Sequence, residues 1–198
     1  MPFIGTKNIL DYVCGQGSLI KELGKIIGNE RCLGLEKSQI IRKNLNDLGI
    51  KTFSSLKEID REISLILCFH VLEHLDKPED FLKETHSILK KNCGQLIIEV
   101  PHANDPMIRL YKNKEFMNFT FWSQHLILHT TESLRILCGK SGFKEVTIAF
   151  KQRYPLSNHL HWIINSKPGG HKSNFSMIDN ESLSKAYSNS LSKIGFSD

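Results

Sequence analysis

A chain of 198 residues with 40% hydrophobic content is long enough to bury one proper core, which favours a single compact domain. The net charge of +5 is a mild basic excess spread along the chain, so the composition does not favour a nucleic-acid partner. The five cysteines are widely separated and lie mostly in apolar runs, which favours buried thiols in a reducing, cytoplasmic compartment over a disulfide framework or a zinc finger. No apolar run reaches the ~20 residues of a membrane helix, and the N-terminus does not resemble a signal peptide.

The first predicted element is a short buried strand that runs into closely spaced glycines. Residues 8–17 read NILDYVCGQG, with Asp11 near the end of the strand and Gly15 and Gly17 in the turn. Glycines there let the backbone approach a ligand closely and adopt φ > 0. The helix that follows points its free N–H groups at the loop. This pattern is typical of nucleotide-binding loops, although glycine pairs also close ordinary strand-to-helix turns.

The next segments alternate between strand and helix patterns. Strands are predicted at residues 31–35, 50–53, 63–68 and 95–100. Helical faces lie between them, and the last helix opens at Asp76 as a capping box. Such alternation predicts a parallel sheet covered by helices.

A long aromatic connection follows at residues 101–128. Connections of this length are usually functional or disordered, and this one is too aromatic for disorder, which favours a functional lid. Its aromatic residues include Tyr111, Phe116, Phe119, Phe121 and Trp122.

The C-terminal third begins with a predicted helix that starts at Thr130 or Thr131. Residues 144–152 and 158–164 then resemble two strands that form a hairpin. A glycine-containing loop at residues 167–171 precedes a helix that begins near Asn180.

This order of elements resembles the class I S-adenosylmethionine-dependent methyltransferases over nearly the whole chain. Four features carry the resemblance: DYVCGQG at residues 11–17, Glu36 at the end of the second strand, FHVLEHLDKP at 69–78 and ILKKNCGQLIIEVP at 88–101. In combination they are far more specific than the glycines alone.

The resemblance implies a Rossmann-like, doubly wound, mostly parallel seven-stranded sheet with a C-terminal antiparallel hairpin. It implies a methyltransferase domain over residues 1–165 that includes the 101–128 lid, with 166–198 as a loop and helix packed on the same domain. Only about seven residues precede the first strand, so the additional N-terminal helix of the family is expected to be missing.

The resemblance also implies S-adenosylmethionine as the cofactor. Carboxylates suit its ribose hydroxyls and ammonium, and backbone donors suit its carboxylate. Glu36 would accept hydrogen bonds from the ribose diol, as acids do in dinucleotide folds, and Asp11 would steer the amino group. The candidate cofactor-binding residues are Asp11, Val13, Gly15, Gly17, Glu36, Ser55, Phe69 and His70.

Val13 departs from the family pattern, because family members generally carry a glycine at this position. A β-branched side chain is stiff and disfavoured at φ > 0. This substitution therefore bears directly on cofactor affinity.

The candidate catalytic residues are histidines. Methyl transfer is an in-line displacement, so the protein must position a nucleophile and, for a hydroxyl, remove its proton. Histidine suits that task near neutral pH. His70 and His74 flank Glu73 just past the fourth strand, and His125 lies in the aromatic connection.

Some metal-dependent relatives bind a divalent ion through a carboxylate-x-x-Glu-His run and a later histidine. Here His70 replaces the first carboxylate, while Glu73 and His74 match and His125 is a candidate for the later histidine. The alternative, a structural Glu-His pair without a metal, is favoured, so no metal is predicted.

The predicted function is a methyltransferase that acts on a small molecule or sugar, with O-methylation favoured over C- or N-methylation. The loop at 167–171 is similar to that of enzymes that modify sugars of bacterial surface polysaccharides. One alternative is an inactive methyltransferase-like binding or scaffold module. The other is a nicotinamide-dependent oxidoreductase, which shares the opening strand and glycines but would need a third glycine where Ile20 stands.

Overall fold

The computed structural model describes residues 8–90, 93–121 and 124–196, and the chain folds into two compact units. The first unit extends to Glu99 and also contains Lys140–Phe143. The second unit contains Val100–Gly139 and the chain from Lys144 onward. The predicted grouping of residues 1–165 with a packed tail at 166–198 stays a prediction.

The first unit is built on a parallel sheet. Its five strands are β1 (Asn8–Tyr12), β2 (Cys32–Leu35), β3 (Lys51–Phe53), β4 (Ile63–Phe69) and β5 (Gln95–Glu99). Their spatial order is β3-β2-β1-β4-β5, and every neighbouring pair is parallel. The strand order reverses between β1 and β4, and ligands of open α/β sheets bind outside the carboxyl ends of the strands at such a reversal.

Three helices connect these strands: α1 (Ser18–Ile27), α2 (Gln39–Asp47) and α3 (Pro78–Lys90). The Ser38 hydroxyl caps α2 by accepting a hydrogen bond from the backbone N–H of Ile41. All four residues of the inner strand β2 are buried, as expected of a parallel sheet between helices, whereas the edge strands β3 and β5 are partly exposed.

Two apolar clusters hold the first unit together. One contains Leu10, Leu33, Leu35, Phe53, Leu56, Ile63, Ile66 and Leu89. The other contains Cys14, Ile20, Cys32, Leu45 and Ile50. Full burial of each aliphatic side chain is worth about 1.5–3 kcal/mol, so these clusters fix the frame from which the loops at the carboxyl edge project.

The second unit is helical in its described part. It contains α4 (Pro106–Arg109), α5 (Lys114–Thr120), α6 (Thr131–Lys140, whose last residue belongs to the first unit), α7 (Leu156–Asn165) and α8 (Glu181–Lys193). As predicted, the last helix follows Asn180, whose side chain accepts a hydrogen bond from Leu183 N–H. Trp122, one of the predicted lid aromatics, lies outside the described residues. No helix among the residues described is long and apolar enough to cross a membrane.

The predicted parallel α/β architecture is confirmed, but the prediction of seven strands with a terminal antiparallel hairpin is wrong. The described residues contain a sheet of five strands, residues 144–152 form no strand, and α7 replaces the second hairpin strand. The buried residues of α7 are 157, 158, 159, 161 and 162, and the pairs 157/161, 158/161, 158/162 and 159/162 have the three- or four-residue spacing of one helical face. Pro155 occupies the N-cap position, where its missing N–H costs no helical hydrogen bond.

Candidate cofactor and acceptor site

The glycine loop between β1 and α1 forms one side of the candidate site. Gly15 and Gly17 have φ of 50° and 74°, and Gly17 is the N-cap of α1. The Cys14 N–H donates to the Leu35 carbonyl at 2.9 Å, which ties the loop to the end of β2. A Cβ built on Gly15 would meet no atom within 4 Å, so the loop leaves open space at this residue.

Glu36 follows β2 and holds the same loop from the other side. One carboxylate oxygen accepts the N–H of Gly15 at 3.1 Å, and the other accepts the N–H of Ser38 at 2.9 Å. The Arg42 guanidinium donates to the Glu36 carbonyl at 2.8 Å, which fixes the backbone. Because a carboxylate offers about four lone-pair sites, Glu36 keeps capacity for two further donors.

Asp11 lies beneath the loop, in the central strand β1. Its backbone pairs with Gly34 of β2 and Leu67 of β4, and its side chain is only 6% exposed. Burial raises the pKa of this carboxyl to about 6. A nearby cation would favour the charged form, so the site suits an ammonium group.

Val13 adopts the left-handed backbone conformation at the position where the family generally carries a glycine. Its φ is 62° and its side chain is 47% exposed. The left-handed conformation costs an L-residue about 1–2 kcal/mol. The loop therefore keeps the geometry that a glycine would adopt, at a cost in strain.

Two further cofactor candidates, Ser55 and Phe69, lie at the same edge of the sheet. Ser55 follows β3, and its hydroxyl donates to Glu58 Oε1 at 3.3 Å. Phe69 ends β4 and pairs with Glu99 in the parallel register. The predicted cofactor residues thus all lie in the last residues of strands of the first unit or in the loops that follow them.

His70 leaves β4 with φ of 54°, and its ring lies between two carboxylates. Its Nδ1 lies 3.5 Å from Glu73 Oε1, and its Nε2 lies 3.3 Å from Glu99 Oε1. His74 Nε2 lies 3.9 Å from the same oxygen of Glu73. The structure therefore brings His70, Glu73 and His74 together, and it adds Glu99.

Glu73 is the buried member of this cluster. Its side chain is 1% exposed, and neither carboxylate oxygen has a hydrogen-bond donor among the residues described. A buried carboxylate is costly unless a partner compensates it. The neighbouring histidine rings are the groups that can do so.

Glu99 was missed as a site residue in the sequence. It ends β5, and the pairing of β5 with β4 places it beside His70. The available signal was its position at the carboxyl end of a predicted strand, which parallel strands bring to a common edge.

The third predicted catalytic histidine, His125, belongs to the second unit. It is half-buried, and its Nδ1 lies 2.7 Å from the Thr120 carbonyl oxygen. A neutral ring with this contact has its proton on Nδ1, since a carbonyl can only accept.

Residues 3–148 match the family model described as a methyltransferase domain. The chain belongs to this family. The resemblance to S-adenosylmethionine-dependent methyltransferases is thereby confirmed. No curated protein matches the chain.

Solved methyltransferase structures share the fold. One is a SAM-dependent methyltransferase of Thermotoga maritima, described as a possible histamine N-methyltransferase, with 23% identity, a TM-score of 0.54 and coverage of 71% of this chain and 65% of the other. Another is phosphoethanolamine N-methyltransferase 2 of Haemonchus contortus in complex with S-adenosyl-L-methionine, with 14% identity, a TM-score of 0.57 and coverage of 95% and 45%. This member of the methyltransferase-domain family thus spans less than two thirds of either structure, and the likeness shows a Rossmann-like α/β fold.

Proposed function

We propose that this protein is an S-adenosylmethionine-dependent methyltransferase that methylates a hydroxyl group of a small molecule or sugar in the cytoplasm. Family membership supports the reaction type. The single observation that carries the proposal is Glu36, a carboxylate anchored beside a glycine loop at the carboxyl edge of the sheet.

The residues at this edge fit the cofactor. Open space at Gly15 leaves room for a ligand against the backbone. Glu36 would accept the ribose hydroxyls, and the buried Asp11 would pair with the ammonium. When bound, S-adenosylmethionine supplies a methyl group activated by its sulfonium. Gly17, Ser55 and Phe69 complete the proposed set.

His70 is the proposed general base for the acceptor hydroxyl. Its ring is one third exposed, so an acceptor can reach it, and Glu73 lies on its buried side. A carboxylate on one ring nitrogen orients the imidazole and stabilises the positive charge that proton uptake creates. His74 lies next to the same Glu73 carboxylate. His125 is a second candidate for the general base. We assign no metal ion to these residues.

One observation favours the alternative of an inactive binding module. Val13 places an exposed β-branched side chain in the loop where the family carries glycine. That side chain would occupy space next to the cofactor. The two functions differ in whether the protein binds S-adenosylmethionine.

Calorimetric titration with S-adenosylmethionine tests the proposal. We expect micromolar binding by the wild type, weakened at least tenfold, about 1.4 kcal/mol, by Glu36→Ala. Glu62→Ala is the matched control, because Glu62 is exposed and directly precedes β4 at the opposite edge of the sheet. Equal binding by Glu36→Ala and wild type would remove the proposed ribose contact. Absence of binding by folded wild-type protein would favour the inactive module.

A further inference from the structure

We propose that Glu99 is a positioning residue that competes with Glu73 for the ring proton of His70 and thereby sets which nitrogen can act as a base. The consequence for catalysis rests on the proposed function of His70. The competition itself depends only on contacts within the first unit.

The backbone brings His70 to Glu99. Phe69 pairs with Glu99 in the register of β4 and β5, and the His70 N–H donates to the Glu99 carbonyl at 2.8 Å. The positive φ of His70 turns the chain sharply after the strand. A strained backbone conformation is stable only where surrounding contacts fix it, and here the hydrogen bond to the end of β5 does so.

The ring then has a carboxylate at each nitrogen. Glu73 Oε1 lies 3.5 Å from Nδ1, and Glu99 Oε1 lies 3.3 Å from Nε2. A neutral imidazole carries one N–H, so it can donate to one of these carboxylates at a time. The two tautomers of His70 therefore correspond to two different partners.

The two carboxylates differ in their need for a donor. The Glu73 side chain is 1% exposed, whereas the Glu99 side chain is 39% exposed and can be solvated. Leaving a buried acceptor unsatisfied costs about 1–3 kcal/mol or more for a charged group, which favours the proton on Nδ1. Glu99 opposes this preference because it gains a charge-assisted hydrogen bond when the proton is on Nε2.

The exposed side of the ring is the side an acceptor can reach. A base there needs its lone pair on Nε2, which is present when Nδ1 donates to Glu73. Glu99 withholds that lone pair as long as it binds the Nε2 proton. An acceptor whose own hydroxyl replaces the ring as the donor to Glu99 would free Nε2, so Glu99 favours acceptors with a donor group next to the methylated hydroxyl, such as a vicinal diol.

The ring ¹⁵N signals of His70 in the full chain test this proposal. Spectra are recorded at about pH 9, where an ordinary histidine is neutral, and His70→Asn assigns the signals. We expect Glu99→Leu to shift the ring toward the Nδ1–H tautomer and Glu73→Leu to shift it toward the Nε2–H tautomer. Glu62→Leu, the matched control, should leave both signals in place.

The sign of the Glu99→Leu shift decides the question even if Glu73→Leu does not fold, because Glu99 is partly exposed. Unchanged ring signals, or a shift toward Nε2–H, would overturn the proposal. Neither cofactor nor acceptor is added, so this outcome is separate from that of the binding titration. If the wild type does not bind S-adenosylmethionine but Glu99→Leu shifts the tautomer as expected, the proposed enzymatic function is refuted while the competition between Glu99 and Glu73 stands.

Discussion

Replacing Asp11 with Asn should stabilise the ligand-free protein at neutral pH. Burial raises the pKa of this carboxyl from 3.8 to about 6, a difference of about 2 units, or about 3 kcal/mol at 1.36 kcal/mol per unit. Its side chain is 6% exposed, so solvent screens this cost little. Asn has the same shape and never ionises, so Asp11→Asn avoids the cost of a buried charge.

The sign of the pH dependence follows from the two pKa values. Well below the ordinary pKa of 3.8, Asp11 is protonated in both the unfolded and the folded chain, and the two proteins should be equally stable. Between about pH 4 and 6 the folded state binds more protons than the unfolded state, so the stability that Asp11 contributes falls as the pH rises. Above about pH 7 the variant should exceed the wild type by the full ~3 kcal/mol.

Urea unfolding followed by circular dichroism at pH 4.5, 6 and 8 measures this difference. Asp47→Asn is the matched control, since Asp47 is exposed at the end of α2, and it should change stability by at most about 0.5 kcal/mol. A pH-independent difference between Asp11→Asn and wild type would refute the reasoning, as would a variant that is less stable at pH 8.

The same carboxyl should make cofactor binding depend on pH. If the charged form of Asp11 pairs with the ammonium of S-adenosylmethionine, wild-type affinity should fall as the pH falls through about 6. Asp11→Asn should bind more weakly at pH 8 and lose this dependence. Calorimetric titrations at pH 5.5 and 8 compare the two proteins. A variant more stable than wild type that also binds less tightly would separate the function of Asp11 from its effect on folding.

Substitutions that introduce or remove a glycine give further predictions. Val13→Gly should relieve left-handed strain and raise the free energy of unfolding by about 1 kcal/mol, after part of the gain is offset by the greater entropy of glycine in the unfolded chain. A lower stability in chemical denaturation would contradict the strain. Gly170→Ala should cost about 1–3 kcal/mol, since its methyl group would collide with the Ser157 carbonyl. Gly139→Ala in α6 is the control, because its new methyl group meets no atom within 4 Å. This substitution should leave the thermal stability unchanged or raise it.

The parallel sheet could be predicted from the sequence because its signals are local. The glycine loop, the acid at position 36 and the alternation of strand and helix patterns each depend on a few neighbouring residues. The hairpin could not be predicted reliably, because a seven-residue run such as 158–164 fits a strand or a buried helix equally well. Contacts with a later loop accompany the helix instead: Asn158 accepts the N–H of Gly169, and His161 Nδ1 lies 2.7 Å from the Lys167 carbonyl.

Val13 and His70 are both non-glycine residues at positive φ that follow neighbouring central strands, yet their strain has different consequences. The His70 side chain lies between Glu73 and Glu99. Glu99 contacts both the backbone N–H and the ring of His70, so the strained backbone conformation holds the imidazole in position. At Val13 the side chain is 47% exposed, and the loop geometry is the one a glycine would adopt freely. Relief of strain at Val13 should therefore leave the loop able to bind a cofactor, whereas glycine at position 70 would remove the proposed base.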